Sequence, residues 1–185
     1  MSKRQWIGVL GALALMVSAG QATAQGPIDI GGKASISAIG TITTQDPDEG
    51  GEFTSIVIGG LGAYTTQDGR FEFGGGLTIS SIIADAGGQD FDFTTYSLTG
   101  EGRVNTNPMG PEENMIFYVG ALAGLSLIDT NLPNVDEELG IFGPKFGGEF
   151  YVAPDMAIQI QDAVLFDTEK GVTNQLTIGF KLLFN

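Results

Sequence analysis

After residue 24 the chain shows one recurring pattern: apolar and polar or small residues alternate with a period of two. In RFEFGGGLTIS one face carries Phe71, Phe73, Gly75, Leu77 and Ile79, and the other Arg70, Glu72, Gly74, Gly76, Thr78 and Ser80. The final stretch, LTIGFKLLFN, sets Leu176, Ile178, Phe180, Leu182 and Phe184 against Thr177, Gly179 and Lys181. KASISAIGTI divides into Ala34, Ile36, Ala38, Gly40 and Ile42 against Lys33, Ser35, Ser37, Ile39 and Thr41. The alternation predicts eight strands over 33–43, 53–65, 70–82, 93–104, 115–127, 140–152, 156–166 and 175–184. No segment after residue 24 has the 3.6-residue period of an amphipathic helix.

The breaks between strands differ in character. Residues 44–52, 83–92, 128–139 and 167–174 form long acidic connections, whereas 66–69 and 153–155 are tight turns; 105–114 is longer than a turn needs. Long connections at one end and mostly short ones at the other describe an up-and-down meander. A last strand with one greasy face is an aggregation hazard if it stays an edge. An even-numbered meander removes that edge by pairing the last strand with the first. The expected fold is therefore all-β, an eight-stranded antiparallel up-and-down barrel.

Two assignments of the faces remain. With the apolar face inward, the chain is a soluble lipocalin-like binder of an apolar ligand, with Phe71, Phe73 and Phe180 packed inside. With it outward, the apolar band contacts lipid and the lumen is polar and glycine-rich, the pattern of transmembrane barrels. The second assignment accounts for the many small residues on the polar face, since eight strands enclose little more than packed side chains.

The first 24 residues differ from the rest. Lys3 and Arg4 precede an apolar run from Trp6 to Val17, followed by Ala22-Thr23-Ala24, which reads as a secretory signal peptide cut after Ala24. The run is shorter than the roughly 20 residues of a spanning helix. The expected organisation is a signal peptide over 1–24 and a barrel over 25–185 with no further domain. Its removal leaves six basic residues against 22 acidic ones. Such a balance repels polyanions and excludes nucleic acid as a partner.

The charges are segregated. Thirteen acidic residues, and only Lys170 among the basic ones, fall in the four long connections. Asp46, Asp48, Glu49 and Glu52 are candidates for weak divalent-cation binding, because oxygen clusters suit calcium or magnesium. They lack a full calcium-loop spacing, and no defined metal site or cofactor is expected. Alternation places Lys33, Arg70, Glu72, Glu101, Arg103, Lys145, Glu149 and Lys181 on the lumen face. Pairing the third and fourth strands sets residue 72 opposite about 103, which predicts a cross-strand Glu72–Arg103 ion pair. A paired polar network that fills the lumen is the expectation, with a gated narrow pore as the rival.

The chain contains no His and no Cys. Serines such as Ser35, Ser55, Ser80, Ser97 and Ser126 thus lack an imidazole partner, and the Gly74–Gly76 run lacks the helix and Lys of a phosphate loop. The sequence is not expected to be an enzyme.

Together these residues resemble the small eight-stranded outer-membrane barrel proteins of the OmpA transmembrane-domain, OmpX and OmpW type. Thr177, Gly179, Leu182 and Phe184 fit the C-terminal assembly signal of that group, with Asn185 following the aromatic. YVGALAGLSL and GPKFGGEFYVAPDMAIQIQ resemble its fifth to seventh strands. The resemblance implies a monomer in the bacterial outer membrane, inserted by the barrel-assembly machinery and surrounded by lipid. It implies a structural or surface-interaction role with acidic extracellular loops; the alternative is a small channel for minor solutes.

Overall fold

The computed structural model describes residues 27–45, 53–86, 89–130, 137–168 and 172–185. The segment read as a signal peptide, 1–24, lies outside the described residues, as do Asp46, Asp48, Glu49, Glu52 and Lys170. Eight strands follow in order: β1 (Ala34–Gln45), β2 (Phe53–Thr65), β3 (Phe71–Ala86), β4 (Gln89–Asn105), β5 (Met115–Thr130), β6 (Glu137–Ala153), β7 (Met156–Asp167) and β8 (Val172–Phe184). Each pairs antiparallel with its sequence neighbours, and β1 pairs with β8 to close the barrel.

Closure answers the edge problem of the last strand. The seam runs from Ala34↔Phe184 to Gly40↔Ile178, and beyond it the Thr41 hydroxyl donates to the Leu176 carbonyl at 2.6 Å. Gly179 sits opposite Ile39, where an added Cβ would run into the Ala38 carbonyl and the Ile39 backbone. A side chain is excluded there because the two strand backbones approach too closely.

The faces resolve with the apolar side outward. Ile58, Leu77, Leu98, Val119, Phe73 and Phe180 are each more than half exposed. Ser35, Ser37, Thr65, Gln159 and Thr177 are buried on the other face. The lipocalin-like alternative is therefore incorrect: Phe71, Phe73 and Phe180 face out. The physical reason is space, because a lumen this narrow is already filled by Ser, Thr, Gly, Gln and a few longer chains. Exposed aromatics flank the band, with Tyr64, Phe71, Phe117 and Phe184 near the end of short connections and Phe142 stacked on Phe166 at 5.7 Å toward the other.

The strands run farther than the alternation predicts, mainly at the end of long connections. The largest difference is at 83–92, which is not one long connection: Ile83 pairs with Asp92, and Asp85 with Asp90. Ile82, Ile83, Phe91 and Phe93 favour extended backbone, so the ladder continues into residues whose composition reads as loop. At the opposite end, 105–114 is shortened by a bridge between Met109 and Met115, with Gly110 and Glu113 at positive φ.

Candidate functional site

The lumen face of the sheet carries the residues that could do chemistry. Strand alternation brings Glu72, Arg103, Glu149 and Lys181 inward from β3, β4, β6 and β8. The β3–β4 register sets Glu72 directly opposite Arg103, and the Arg103 Nη2 donates to the Glu72 carboxylate at 2.9 Å. The same nitrogen reaches Glu149 at 2.5 Å, across an intervening strand. Lys181 Nζ closes the ring, at 2.6 Å from Glu72 and 3.0 Å from Glu149.

Every member of this ring therefore contacts both members of opposite sign. Two cations and two anions leave it neutral, and all four side chains are nearly inaccessible. A buried charge is tolerated only when paired and hydrogen-bonded, and this arrangement meets both conditions. The Thr65 hydroxyl adds a bond to Glu72 at 3.0 Å, and the Tyr151 hydroxyl one to Glu149 at 2.8 Å. Lys145 forms a separate pair with Glu101 at 2.5 Å, again joining β6 to β4.

Tyr118 links the charges to a layer of amides. Its ring lies 4.0 Å beneath the Arg103 guanidinium, a cation–π contact. Its hydroxyl accepts from Gln159 at 2.9 Å and lies 3.3 Å from Gln161. The constellation can hold strands together and fill space. Among the described residues no cluster of acidic ligands suits a metal ion.

Not every residue assigned to the lumen by alternation joins the network. Lys33 precedes β1 and lies at the barrel mouth beside Pro154, Asp155 and Leu183. Arg70 is exposed in the β2–β3 turn, where its backbone N–H donates to the Asp68 carboxylate at 3.1 Å. Thr65, Tyr118, Tyr151, Gln159 and Gln161 were not singled out from the sequence. Alternation could have found Tyr151, two residues from Glu149, and the glutamines on the inward face of β7. Of the terminal motif, Thr177 and Gly179 face inward, while Leu182 and Phe184 lie on the exposed face.

No protein-family model matches the chain, and no curated protein matches its sequence. Solved structures are similar in fold. Ail, the attachment invasion locus protein of Yersinia pestis, in complex with the heparin analogue sucrose octasulfate, aligns with a TM-score of 0.50 and 14% identity, over 83% of this chain and 99% of that one. The Yersinia pestis outer membrane protein Ail in a phospholipid bilayer nanodisc aligns with a TM-score of 0.45 and 13% identity, over 83% and 99% of the two chains. A de novo designed transmembrane β-barrel gives 0.43 and 15%, over 85% and 99%. The first of these shares the fold of this chain, a closed eight-stranded antiparallel barrel.

Proposed function

We propose that the protein is a bacterial outer-membrane barrel with a structural and surface-interaction role, whose lumen is sealed rather than conducting. One observation carries the reading: the charged residues are turned inward and mutually neutralised while large apolar side chains cover the outside. In water that surface is an extended apolar patch, whereas in a bilayer it is the surface that lipid requires. Residues 1–24 act as a cleaved export signal in this reading. Thr177, Gly179, Leu182 and Phe184 serve the assembly machinery.

The short-turn end then faces the periplasm, and the acidic connections face outward. The acidic residues that the sequence concentrates in those connections suit cationic or uncharged partners. Ail was crystallised with a sulfated sugar analogue, but a polyanion of that kind meets repulsion on this chain. The ring supports a sealed lumen, because each charge is already satisfied by two opposite ones.

The decisive experiment combines fractionation with conductance. The protein should appear in the outer-membrane fraction, run faster unboiled than boiled on a gel, and give no steady current in planar bilayers. A soluble periplasmic protein without a heat shift would overturn the membrane placement. Steady single-channel conductance, altered by Glu72→Gln or Arg103→Met, would instead favour a small channel for minor solutes.

A further inference from the structure

The residues just before β1 do not hang free. Residues 27–33 cross the end of the barrel that carries the short connections. The Ile28 N–H donates to the Glu113 carbonyl at 3.3 Å, in the β4–β5 connection, which lies on the far side of the ring from β1. The Gly32 N–H donates to the Thr66 carbonyl at 3.1 Å, and the Thr65 N–H to the Lys33 carbonyl at 2.9 Å. The segment is thus a strap across the mouth.

Its alternation continues inward. Ile28 and Ile30 are buried, while Asp29 between them is exposed. The two isoleucines belong to one apolar cluster with Ile116, Tyr151, Ala157 and Leu183, the inward-facing residues at the ends of β5, β6, β7 and β8. Tyr151 is also the ring's neighbour through its bond to Glu149. An apolar floor therefore lies directly beneath the charged ring and separates it from the solvent at that mouth.

The attachment is light. Two long-range backbone bonds hold residues 28–32, with no strand ladder. Gly31 and Gly32 join the strap to β1, and Gly32 has φ +68°, a conformation that favours glycine. Few backbone bonds and a glycine pair are the features of a segment that opens before the sheet does. We propose that residues 27–32 form a removable stopper, hinged at Gly31–Gly32, that controls solvent access to the ring from this mouth. Seated, it keeps the ring dry. Swung out, it exposes the Ile116–Tyr151–Ala157–Leu183 rim and the Tyr151–Glu149 contact to water. The inference rests on the barrel geometry alone and holds whether or not the lumen conducts.

The absence of cysteine makes a single reporter clean. Ala157→Cys places a thiol in the floor, at a position that is fully buried under the strap. In the folded, detergent-solubilised protein a membrane-impermeant thiol reagent should react with it slowly. Adding Ile28→Ser and Ile30→Ser should speed that reaction at least about tenfold, while Ile28→Val with Ile30→Val should leave it slow. The gel shift run on the same samples separates an open mouth from an unfolded barrel. Equal rates in the Ser and unsubstituted backgrounds overturn the stopper. Hydrogen exchange tests the hinge without any substitution at the strap: the Ile28 and Gly32 amides should exchange together, and faster than those of β1. Exchange no faster than β1 means a fixed wall, and the proposal fails.

Discussion

Arg103 and Glu149 meet at 2.5 Å although they lie on β4 and β6, with β5 between them. The contact spans the lumen instead of following the ladder, so it ties together strands that share no backbone bonds. Removing either partner leaves the ring with one uncompensated buried charge. Arg103→Met or Glu149→Leu alone should each cost about 3–5 kcal/mol, the range for removing one partner of a buried pair. Arg103→Met with Glu149→Leu leaves Glu72 and Lys181 as a balanced pair, so the double variant should cost less than the sum by about 1–3 kcal/mol. Urea or guanidinium unfolding in detergent checks the cycle, and simple additivity would show that the ring does not act as a unit.

The β2–β3 turn provides the pH dependence. Asp68 accepts from the Thr66 hydroxyl at 2.6 Å and from the Arg70 N–H at 3.1 Å, and these bonds to the carboxylate hold its pKa below the ordinary aspartate value. A lowered folded pKa contributes stability above the ordinary value, and that contribution fades as pH falls through the lowered one. The stability difference between the protein and its Asp68→Asn variant should therefore be largest near neutrality and shrink in acid. Titration of the Asp68 carboxyl by NMR should show a midpoint below that of an exposed aspartate. An ordinary midpoint would mean the turn bonds do not form in solution.

The fold was legible because period-two alternation is a direct imprint of a sheet with two unlike faces. The Phe71–Ile79 and Leu176–Phe184 rows show it, and an even strand count supplies closure. The Glu72–Arg103 register follows from one hairpin, so it too could be read along the chain. The convergence of Glu149 and Lys181 on that pair could not, because it depends on the barrel's diameter and stagger and not on any neighbouring strand. Arg70 and Lys33 fell outside the lumen because alternation fails where a strand ends and a turn begins. The extension of β3 to Ala86 and of β4 back to Gln89 was hidden by Asp85, Asp90 and Asp92, whose composition reads as loop.

Gly179 tests the seam. An added Cβ would collide with the Ala38 carbonyl and the Ile39 backbone, groups that cannot swing aside as a flexible side chain can. Gly179→Val should destabilise the barrel by about 1–3 kcal/mol, the usual cost of overpacking. Because the β1–β8 ladder runs only from Ala34 to Gly40, the loss should appear as fraying there first. Amide exchange at Ser37 and Ile39 should rise ahead of exchange in β4 and β5. Uniform loosening would place the cost elsewhere than the seam.

Asp162 breaks the rule that the outer face is apolar. It lies on β7 with Ile160 and Val164 on the same face, and its register partners are Phe146 on β6 and Leu176 on β8, both more than half exposed. Its Oδ1 is buried without a hydrogen-bond partner. On the proposed lipid-facing surface, a carboxylate costs less than the roughly 2–4 kcal/mol of a basic residue but still disfavours the folded state. Asp162→Leu should therefore stabilise the protein by about 1–2 kcal/mol in lipid, with a smaller gain for Asp162→Asn. Reversible unfolding from vesicles measures both. A loss of stability in the leucine variant would mean that the carboxylate has a partner in the bilayer, and the β7 face would then be a contact surface rather than bare wall.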